Sequence, residues 1–332
     1  MKKIHLTGLN SEWVLGKEFT YLEKYFKRFG FKTSQSKFAI NSMVYLPARY
    51  NIKYSFYHLF GNKVYFDYFH GDPIQNPEFK DIFNYIVNNK NKFSKIRITN
   101  KKIKQLFINS GLKEKVEIIP LGIDRSDFKV ISYEDKLKFK NELGIPQNKI
   151  VIGSFQKDGV GWNGGDNPKL IKGPDIFIKV LNRVYKEKKD IFVLLLGPSR
   201  NFIKKELSKL NIPHVHIYEK NYLDIYKYYN ILDLYLITSR DEGGPKSLLE
   251  SMTCGVPVVS TPVGQCNDLI LNYKNGVICN SFSDEEIYKK TILLIENANL
   301  RNVIRHNGFE TSKKHDYNNQ KKLWQNFFGF KI

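Results

Sequence analysis

Two glutamates eight residues apart, Glu242 and Glu250, enclose the stretch of this sequence that is best suited to chemistry. The apolar run 231–238 before them predicts a buried strand of a parallel sheet, and a short helix is predicted to open with Pro245 at its first position. The first N–H groups of a helix have no intrahelical partner, and the helix dipole adds about half a positive charge there. The turn between strand and helix therefore predicts a binding site for an anion.

The two carboxylates suit different parts of a nucleotide-sugar bound at that turn. Glu250 is placed roughly 7 Å along the helix axis, at ~1.5 Å per residue, where it can accept from ribose hydroxyls, and Glu242 in the turn can face the sugar. The other donor-side candidates lie in the turn and the first helical turn: Gly243, Gly244, Pro245, Lys246, Ser247 and Leu248. On this stretch alone, the alternative is an ordinary strand–loop–helix with two solvated glutamates.

The elements that must position these residues alternate between strands and helices, which predicts parallel sheets with helices on both faces. The predicted strands form two series: 3–7, 42–46, 64–69, 96–99 and 116–120, then 150–155, 191–196, 215–218, 231–238 and 256–260. We predict a short acceptor-side domain over 1–130 and a nucleotide-sugar-binding domain over 145–311, facing across a cleft. A helix at 312–330 is predicted to pack back on the first domain.

Further candidate residues lie in two loops. His70 and Asp72 follow the predicted strand 64–69, at the strand end where open α/β sheets bind ligands, although a lone histidine is more often structural. The Gly-rich loop 156–168 is long enough to be functional, and Lys157 and Lys172 flank it within reach of a phosphate. Solvated surface lysines and a simple surface loop are the alternatives there.

Composition favours an anionic partner. The net charge is +20 and the pI is near 9.5. Since the lysines are spread along the chain, without a zinc finger, an RNA-recognition signature or an arginine-rich tail, we expect no nucleic-acid partner. An anionic membrane bearing a lipid-linked acceptor fits better. The basic face of the predicted helix 13–29 either contacts such lipid or is simply solvated.

Localisation is predicted from three features. There is no run of eighteen apolar residues, and the N-terminus lacks the apolar region of a signal peptide. The three cysteines are odd in number and lack metal-ligand spacing, which fits a reducing compartment. We expect a cytoplasmic protein with peripheral contact on the cytoplasmic face of the inner membrane; the oligomeric state is left open.

An ordered set of motifs over residues 116–278 resembles the retaining glycosyltransferases of family 4 (glycosyl transferases group 1). The motifs are VEIIPLGID at 116–124, KGPD at 172–175, LLLG at 194–197, E-x7-E at 242–250, ESMTCGVPVV at 250–259, TPVG at 261–264 and NG at 275–276. The resemblance implies the α/β GT-B fold, which has two Rossmann-like β/α/β domains. It also implies an enzyme, a hexosyltransferase.

The resemblance assigns roles residue by residue. Glu250 would hold the donor ribose, Glu242 would lie near the donor sugar, and the backbone of 243–248 would cradle the pyrophosphate. Lys172 would neutralise the leaving phosphates. His70 resembles the catalytic histidine of the family, and Gly8 resembles its Gly-rich loop near phosphates and acceptor.

The chain departs from the family pattern at three points. The arginine usual after the first strand of the second half is absent, because Gly153-Ser154-Phe155 stands there, and Lys157 is the predicted replacement. The 156–170 loop is longer than usual, so Trp162 and Asn163 are candidates for acceptor or donor recognition. The N-terminal domain is short, and its first loop lacks the common Gly-Gly pair.

The implied reaction is retaining transfer of a hexose-type sugar from a UDP- or GDP-sugar to a glycan or lipid-linked glycan, as in bacterial surface polysaccharide or lipopolysaccharide synthesis. No cofactor and no metal are expected, because a helix N-terminus and two lysines can stabilise the leaving phosphate and the sequence has no Asp-x-Asp motif. The alternative is a catalytically degenerate GT-B protein that binds a nucleotide-sugar or an anionic polymer.

Overall fold

The computed structural model describes residues 3–7, 14–35, 38–69, 71–161 and 164–330. The chain forms two compact units. The first comprises Met1–Gly122, Glu242–Gly244 and His315–Ile332, and the second comprises Ile123–Asp241 and Pro245–Lys314.

The first unit is built on a six-stranded sheet whose strands are all parallel. Its strands are β1 (Lys3–Leu6), β2 (Lys32–Ser34), β3 (Met43–Leu46), β4 (Lys63–Tyr68), β5 (Lys95–Ile98) and β6 (Val116–Ile118), in the order β2-β1-β3-β4-β5-β6. Its helices are α1 (Val14–Arg28), α2 (Pro77–Asn88) and α3 (Lys101–Asn109), with 3-10 helices at Arg49–Phe60, Lys90–Lys92 and Lys113–Lys115.

The second unit carries another parallel sheet of six strands. Its strands are β7 (Ile150–Phe155), β8 (Ile191–Leu196), β9 (His214–Ile217), β10 (Leu234–Ile237), β11 (Val258–Ser260) and β12 (Val277–Ile278). Its helices are α4 (Tyr133–Glu142), α5 (Pro174–Glu187), α6 (Asn201–Lys209), α7 (Ile225–Asn230), α8 (Lys246–Thr253), α9 (Cys266–Leu269), α10 (Asp284–Glu296) and α11 (Ala298–Lys314), with 3-10 helices at Leu170–Lys172 and Tyr222–Asp224.

The strand order of the second sheet, β12-β11-β10-β7-β8-β9, is the doubly wound Rossmann order. It reverses direction between β7 and β10, and the carboxyl ends of strands at such a switch point are where open α/β sheets bind ligands. Every residue of β8 is buried, as expected for a strand covered by helices on both faces. The predicted α/β class with Rossmann-like sheets is thereby confirmed.

The end of the chain packs on the first unit. A 3-10 helix at Tyr317–Gln320 leads into α12 (Lys321–Phe328), whose Trp324 and Phe328 rings lie within 6 Å of the Phe26 and Tyr45 rings. Arg97 is fully buried beneath this helix, with its guanidinium 4.9 Å from the Trp324 ring. It pairs with Asp67 at 2.7 Å, and burial raises the pKa of Asp67 to about 6 against the lowering effect of Arg97.

In the part of the chain that the structure describes, no helix is both long and apolar enough to span a bilayer.

Candidate nucleotide-sugar site

The turn that carries Glu242 follows the carboxyl end of β10, at the switch point of the second sheet, and leads into the helix that carries Glu250. Helix α8 begins at Lys246, one residue later than predicted. Pro245 is its N-cap, with an extended ψ of 115°, and not its first helical residue. The Leu248 amide donates to the Pro245 carbonyl at 3.2 Å, so the helix offers a ligand only the amides that precede it. Within the backbone 243–248 that was predicted to bind phosphate, the Leu248 amide is therefore already engaged, and the role of the amides before it stays a prediction.

Glu250 is buried on α8 between two tyrosines that sequence reasoning missed. Its Oε1 accepts from the Tyr222 hydroxyl, and its Oε2 accepts from the Tyr229 hydroxyl at 2.8 Å. Burial raises the pKa of Glu250, against the lowering effects of the Tyr222 hydrogen bond, the charge of Lys246 and the Tyr229 hydrogen bond. Because an ionised carboxylate has about four acceptor positions, each oxygen keeps a lone pair beside its tyrosine hydrogen bond.

The tyrosine clamp continues as an aromatic cluster. The Tyr229 ring lies 4.7 Å from that of Phe155 at the end of β7 and 5.5 Å from that of Tyr235 on β10. The Tyr235 hydroxyl accepts from the Phe155 amide at 2.9 Å and also bonds the Ser247 side chain. The cluster therefore links the end of β7 and the β10 strand to the first turn of α8.

The Gly243 carbonyl is fixed within the first unit. It accepts from Thr99 Oγ1 at 2.8 Å and from Asn100 Nδ2 at 3.1 Å, and both residues are buried where β5 runs into α3. Glu242, which precedes it, is partly exposed. The two hydrogen bonds therefore hold the backbone that carries Glu242, and neither partner was predicted.

Lys172 is held by the residue that follows it. Gly173 has φ +65°, and a Cβ there would lie 1.9 Å from the Thr238 carbonyl oxygen, so only glycine fits against the end of β10. The Lys172 carbonyl accepts from Gln156 Nε2 at 2.9 Å. The backbone at Lys172 and Gly173 thus lies beside Gln156 and Thr238, the residues that directly follow β7 and β10. This is the switch point of the second sheet, where a phosphate ligand is predicted.

Arg240, just before the glutamate turn, is tied to the same segment. Its guanidinium forms two hydrogen bonds with the Asp175 carboxylate at 2.7 and 2.6 Å, and its amide donates to the Ile171 carbonyl at 2.8 Å. This gives the KGPD motif at 172–175 a structural function, because it anchors the chain that enters the turn.

A buried arginine that was not predicted supports the loop of Lys157. Arg200 donates at 2.7 Å to three carbonyls, those of Ser154, Gln156 and Leu196. Its Nε lies 3.0 Å from the Asp158 carboxylate as an ion pair, and burial raises the pKa of Asp158 to about 6 despite the charge of Arg200. The Gly-Pro-Ser-Arg sequence after the buried strand β8 was the available signal, because it places an arginine at the ligand-binding edge of the sheet.

Lys157, which follows Gln156, is half-buried in this loop. Its burial and the nearby charge of Lys169 lower its pKa. An approaching anion stabilises the charged form of a lysine whose burial and like-charged neighbour disfavour it. Lys157 therefore stays a candidate donor ligand.

The remaining predicted site residues are Gly8, Asp72, His70, Trp162 and Asn163. Gly8, His70, Trp162 and Asn163 lie outside the described residues. Asp72 is buried in the first unit, where its Oδ1 accepts from the Ile74 amide at 2.8 Å and its Oδ2 pairs with Lys102 at 2.7 Å. Both contacts stabilise the turn after β4, which gives Asp72 a structural explanation. Across the described ranges, no group of three or more His, Cys, Asp or Glu side chains is arranged to hold a metal ion.

The comparisons with known proteins point to glycosyltransferases. Residues 168–311 match the sequence model of the family described as glycosyl transferases group 1. The chain is 26% identical over 197 residues to an uncharacterised glycosyltransferase of Methanocaldococcus jannaschii, covering 56% of this chain and 55% of that protein. It is 28% identical over 214 residues to the N,N'-diacetylbacillosaminyl-diphospho-undecaprenol alpha-1,3-N-acetylgalactosaminyltransferase of Campylobacter jejuni, covering 63% and 53%. The chain spans about half the length of the curated relatives it matches.

The fold is that of GT-B glycosyltransferases. The structure of HepE from Anabaena, solved in complex with UDP and glucose, superposes with a TM-score of 0.77 at 17% identity, over 99% of each chain. That of TarM from S. aureus, solved with UDP, superposes with a TM-score of 0.70 at 18% identity, over 95% of this chain and 58% of that one. These likenesses extend over both units, beyond the region that the sequence model matches.

Proposed function

We propose that this protein is a retaining, metal-independent glycosyltransferase of family 4 that moves a hexose-type sugar from a nucleotide diphosphate to a glycan or lipid-linked glycan. The observation that carries the proposal is the arrangement at the switch point of the second sheet. There the N-terminus of α8 and the clamped Glu250 stand together, inside the region that matches glycosyl transferases group 1.

The donor binds along α8 in this proposal. The amides at its N-terminus and the ammonium groups of Lys157 and Lys172 bind the diphosphate, while Glu250 accepts from the ribose hydroxyls. UDP is the favoured nucleotide because HepE was solved with UDP and with glucose, and GDP is the second candidate.

Glycosyl transfer develops positive charge on the sugar ring and negative charge on the departing phosphate. The helix N-terminus and the lysines stabilise the departing phosphate, so the reaction proceeds without a metal ion. The acceptor attacks from the face that the phosphate leaves, which retains the anomeric configuration. Glu242 positions the sugar, and His70 and Gly8 stay predicted contacts of sugar and phosphate.

The proposed acceptor is a glycan on a membrane lipid, of the kind that bacterial surface polysaccharides are built on. Its support is the relative from Campylobacter jejuni, whose name specifies a diphospho-undecaprenol-linked substrate, together with the net charge of +20. A lipid-linked acceptor would place the protein on the cytoplasmic face of the inner membrane.

Calorimetry with UDP and GDP tests the donor site, using the full chain and its Glu250→Gln variant. Losing a charge-assisted hydrogen bond costs about 1.5–3 kcal/mol, so we expect roughly 10- to 100-fold weaker binding of UDP by the variant. Glu286→Gln on α10 is the matched control, because it alters a carboxylate that pairs with Lys290 at 2.8 Å in the same unit. Equal affinities for wild type and Glu250→Gln would refute the ribose role.

Turnover then separates an enzyme from a degenerate binding protein. Release of UDP from UDP-sugars is measured with and without lipid-linked glycan, and the anomeric proton of the product reports the stereochemistry. Donor binding without release of UDP under any acceptor condition would support the degenerate alternative. An inverted product would refute the retaining mechanism.

A further inference from the structure

The first unit presents several large apolar side chains to solvent within residues 38–60. Within twenty-three residues, Phe38 is 87% exposed, Ile40 68%, Leu59 73%, Phe60 50% and Phe56 43%. We call these five residues the aromatic face. Contiguous exposed apolar groups of this kind mark interaction sites on soluble proteins, whereas single ones need no explanation.

Hydrogen bonds hold the two segments of this face together. The Asn41 amide donates to the Phe60 carbonyl at 3.1 Å. The buried Asn62 side chain donates to the Ala39 carbonyl at 2.7 Å and to the Tyr57 carbonyl at 2.9 Å. The apolar side chains therefore project from a backbone that is fixed before any partner arrives, at the end of the 3-10 helix Arg49–Phe60.

Charge identifies the kind of partner. Residues 24–66 contain no Asp or Glu, but they contain eight basic residues, namely Lys24, Lys27, Arg28, Lys32, Lys37, Arg49, Lys53 and Lys63. Lys53 and Lys63, in and beside the aromatic face, are exposed. In the fold, Arg49 pairs with Glu78 at 2.6 Å, so the cations that face solvent beside the apolar side chains are Lys53 and Lys63. Exposed aromatics beside exposed lysines fit the interface of a bilayer that carries anionic lipid.

We propose that the aromatic face docks on an anionic bilayer, with its apolar side chains in the headgroup region and its lysines against lipid phosphates. A second copy of the chain fits less well, because a two-fold interface would bring Lys53 and Lys63 of one copy close to the same lysines of the other. The basic face of α1 contributes charge alone: Lys24 and Arg28 lie over the Tyr25 ring, and Lys27 pairs with Glu23 at 2.9 Å. The contact predicted for helix 13–29 stays a prediction, and in this proposal the apolar part of the docking surface lies at residues 38–60.

Docking does not depend on the proposed transfer reaction, so it is measured without donor or acceptor. Full-length protein is sedimented with vesicles of phosphatidylcholine alone and of phosphatidylcholine mixed with phosphatidylglycerol, at low and at physiological salt. We expect binding to the anionic vesicles only, and about tenfold or more weaker binding for the double variant Phe38→Ser/Leu59→Ser. Lys53→Glu/Lys63→Glu should weaken binding and reduce its salt dependence.

The control is Leu170→Ser/Leu271→Ser, which removes two side chains of the second unit that are 55% and 56% exposed. It should bind vesicles like the wild type, and all variants should keep the wild-type melting temperature. Equal vesicle binding by wild type and Phe38→Ser/Leu59→Ser would overturn the proposal. A wild-type dimer that the same variant abolishes, without vesicle binding by either, would assign the face to a second copy and overturn it too.

Discussion

Replacing Tyr229 by phenylalanine isolates one hydrogen bond of the Glu250 clamp. The hydroxyl donates at 2.8 Å to the buried carboxylate, and the ring packs against Phe155 and Tyr235. Phenylalanine keeps that packing and removes only the donor. Losing a hydrogen bond to a charged group costs about 1.5–3 kcal/mol, so we expect the free energy of unfolding near pH 8 to fall by that amount.

The loss should depend on pH, because it acts through the ionised form of Glu250. Burial raises the pKa of this carboxyl above its ordinary value of 4.5, so the folded state holds its proton more tightly than the unfolded chain does. The group therefore costs stability as pH rises from about 4.5 through its folded-state pKa. The Tyr229 hydroxyl lowers the pKa of Glu250, so its removal destabilises the ionised carboxylate more than the protonated one. The loss of unfolding free energy in the variant should therefore shrink towards about 0.5–1.5 kcal/mol near pH 4.5.

Equilibrium urea unfolding of wild type and variant at matched pH values from 4.5 to 8 measures this difference, and subtraction removes the titration of other groups. Tyr228→Phe is the matched control, because its hydroxyl bonds the half-buried Glu219 at 3.2 Å from the same helix. UDP affinity should fall for Tyr229→Phe and stay unchanged for the control. A loss that is independent of pH, or equal in both variants, would refute the reasoning.

Two other substitutions test the supports around the site. Arg200→Met leaves the Asp158 carboxylate buried without its partner and should cost about 3–5 kcal/mol of unfolding free energy near pH 8. Because burial raises the pKa of Asp158 to about 6, the loss should be smaller in urea unfolding at pH 5, and an equal loss at both pH values would contradict this. Thr99→Val removes one of two donors to the Gly243 carbonyl and should cost about 1 kcal/mol. Its turnover should fall while UDP affinity is kept, and unchanged turnover would show that the turn needs only Asn100.

The sequence predicted the second sheet well because its strands carry a signal that does not depend on context. The run 191–196 is apolar throughout, and the structure buries all of it as β8. By contrast, β2 (Lys32–Ser34) is a three-residue polar edge strand and has no hydrophobic pattern to detect. The 3-10 helix Arg49–Phe60 was missed because its apolar residues do not follow the spacing of a core-facing helix.

The partners of the site residues were missed for a different reason. Glu250 could be identified from its spacing to Glu242, but the tyrosines that orient it come 21 and 28 residues earlier in the chain. Thr99 and Gly243 are separated by 144 residues. Serine, threonine and tyrosine hydroxyls are common and form hydrogen bonds in any fold, so their pairing becomes visible only when the chain is folded.

The net charge shows how a global quantity and a local pattern carry different information. A charge of +20 indicates an anionic partner but assigns it to no surface, and the sequence prediction placed a lipid contact on the basic face of helix 13–29. The absence of acids from 24 to 66 is readable in the sequence, yet Phe38 and Leu59 look there like ordinary core residues. The exposure of Phe38 and Leu59 distinguishes a docking surface from an ordinary core. If these side chains were buried, only a basic surface would remain, and any anion could approach it. Exposed apolar side chains beside exposed lysines instead fit a partner that is apolar and anionic within one side-chain length, which is the chemistry of the bilayer interface that we propose.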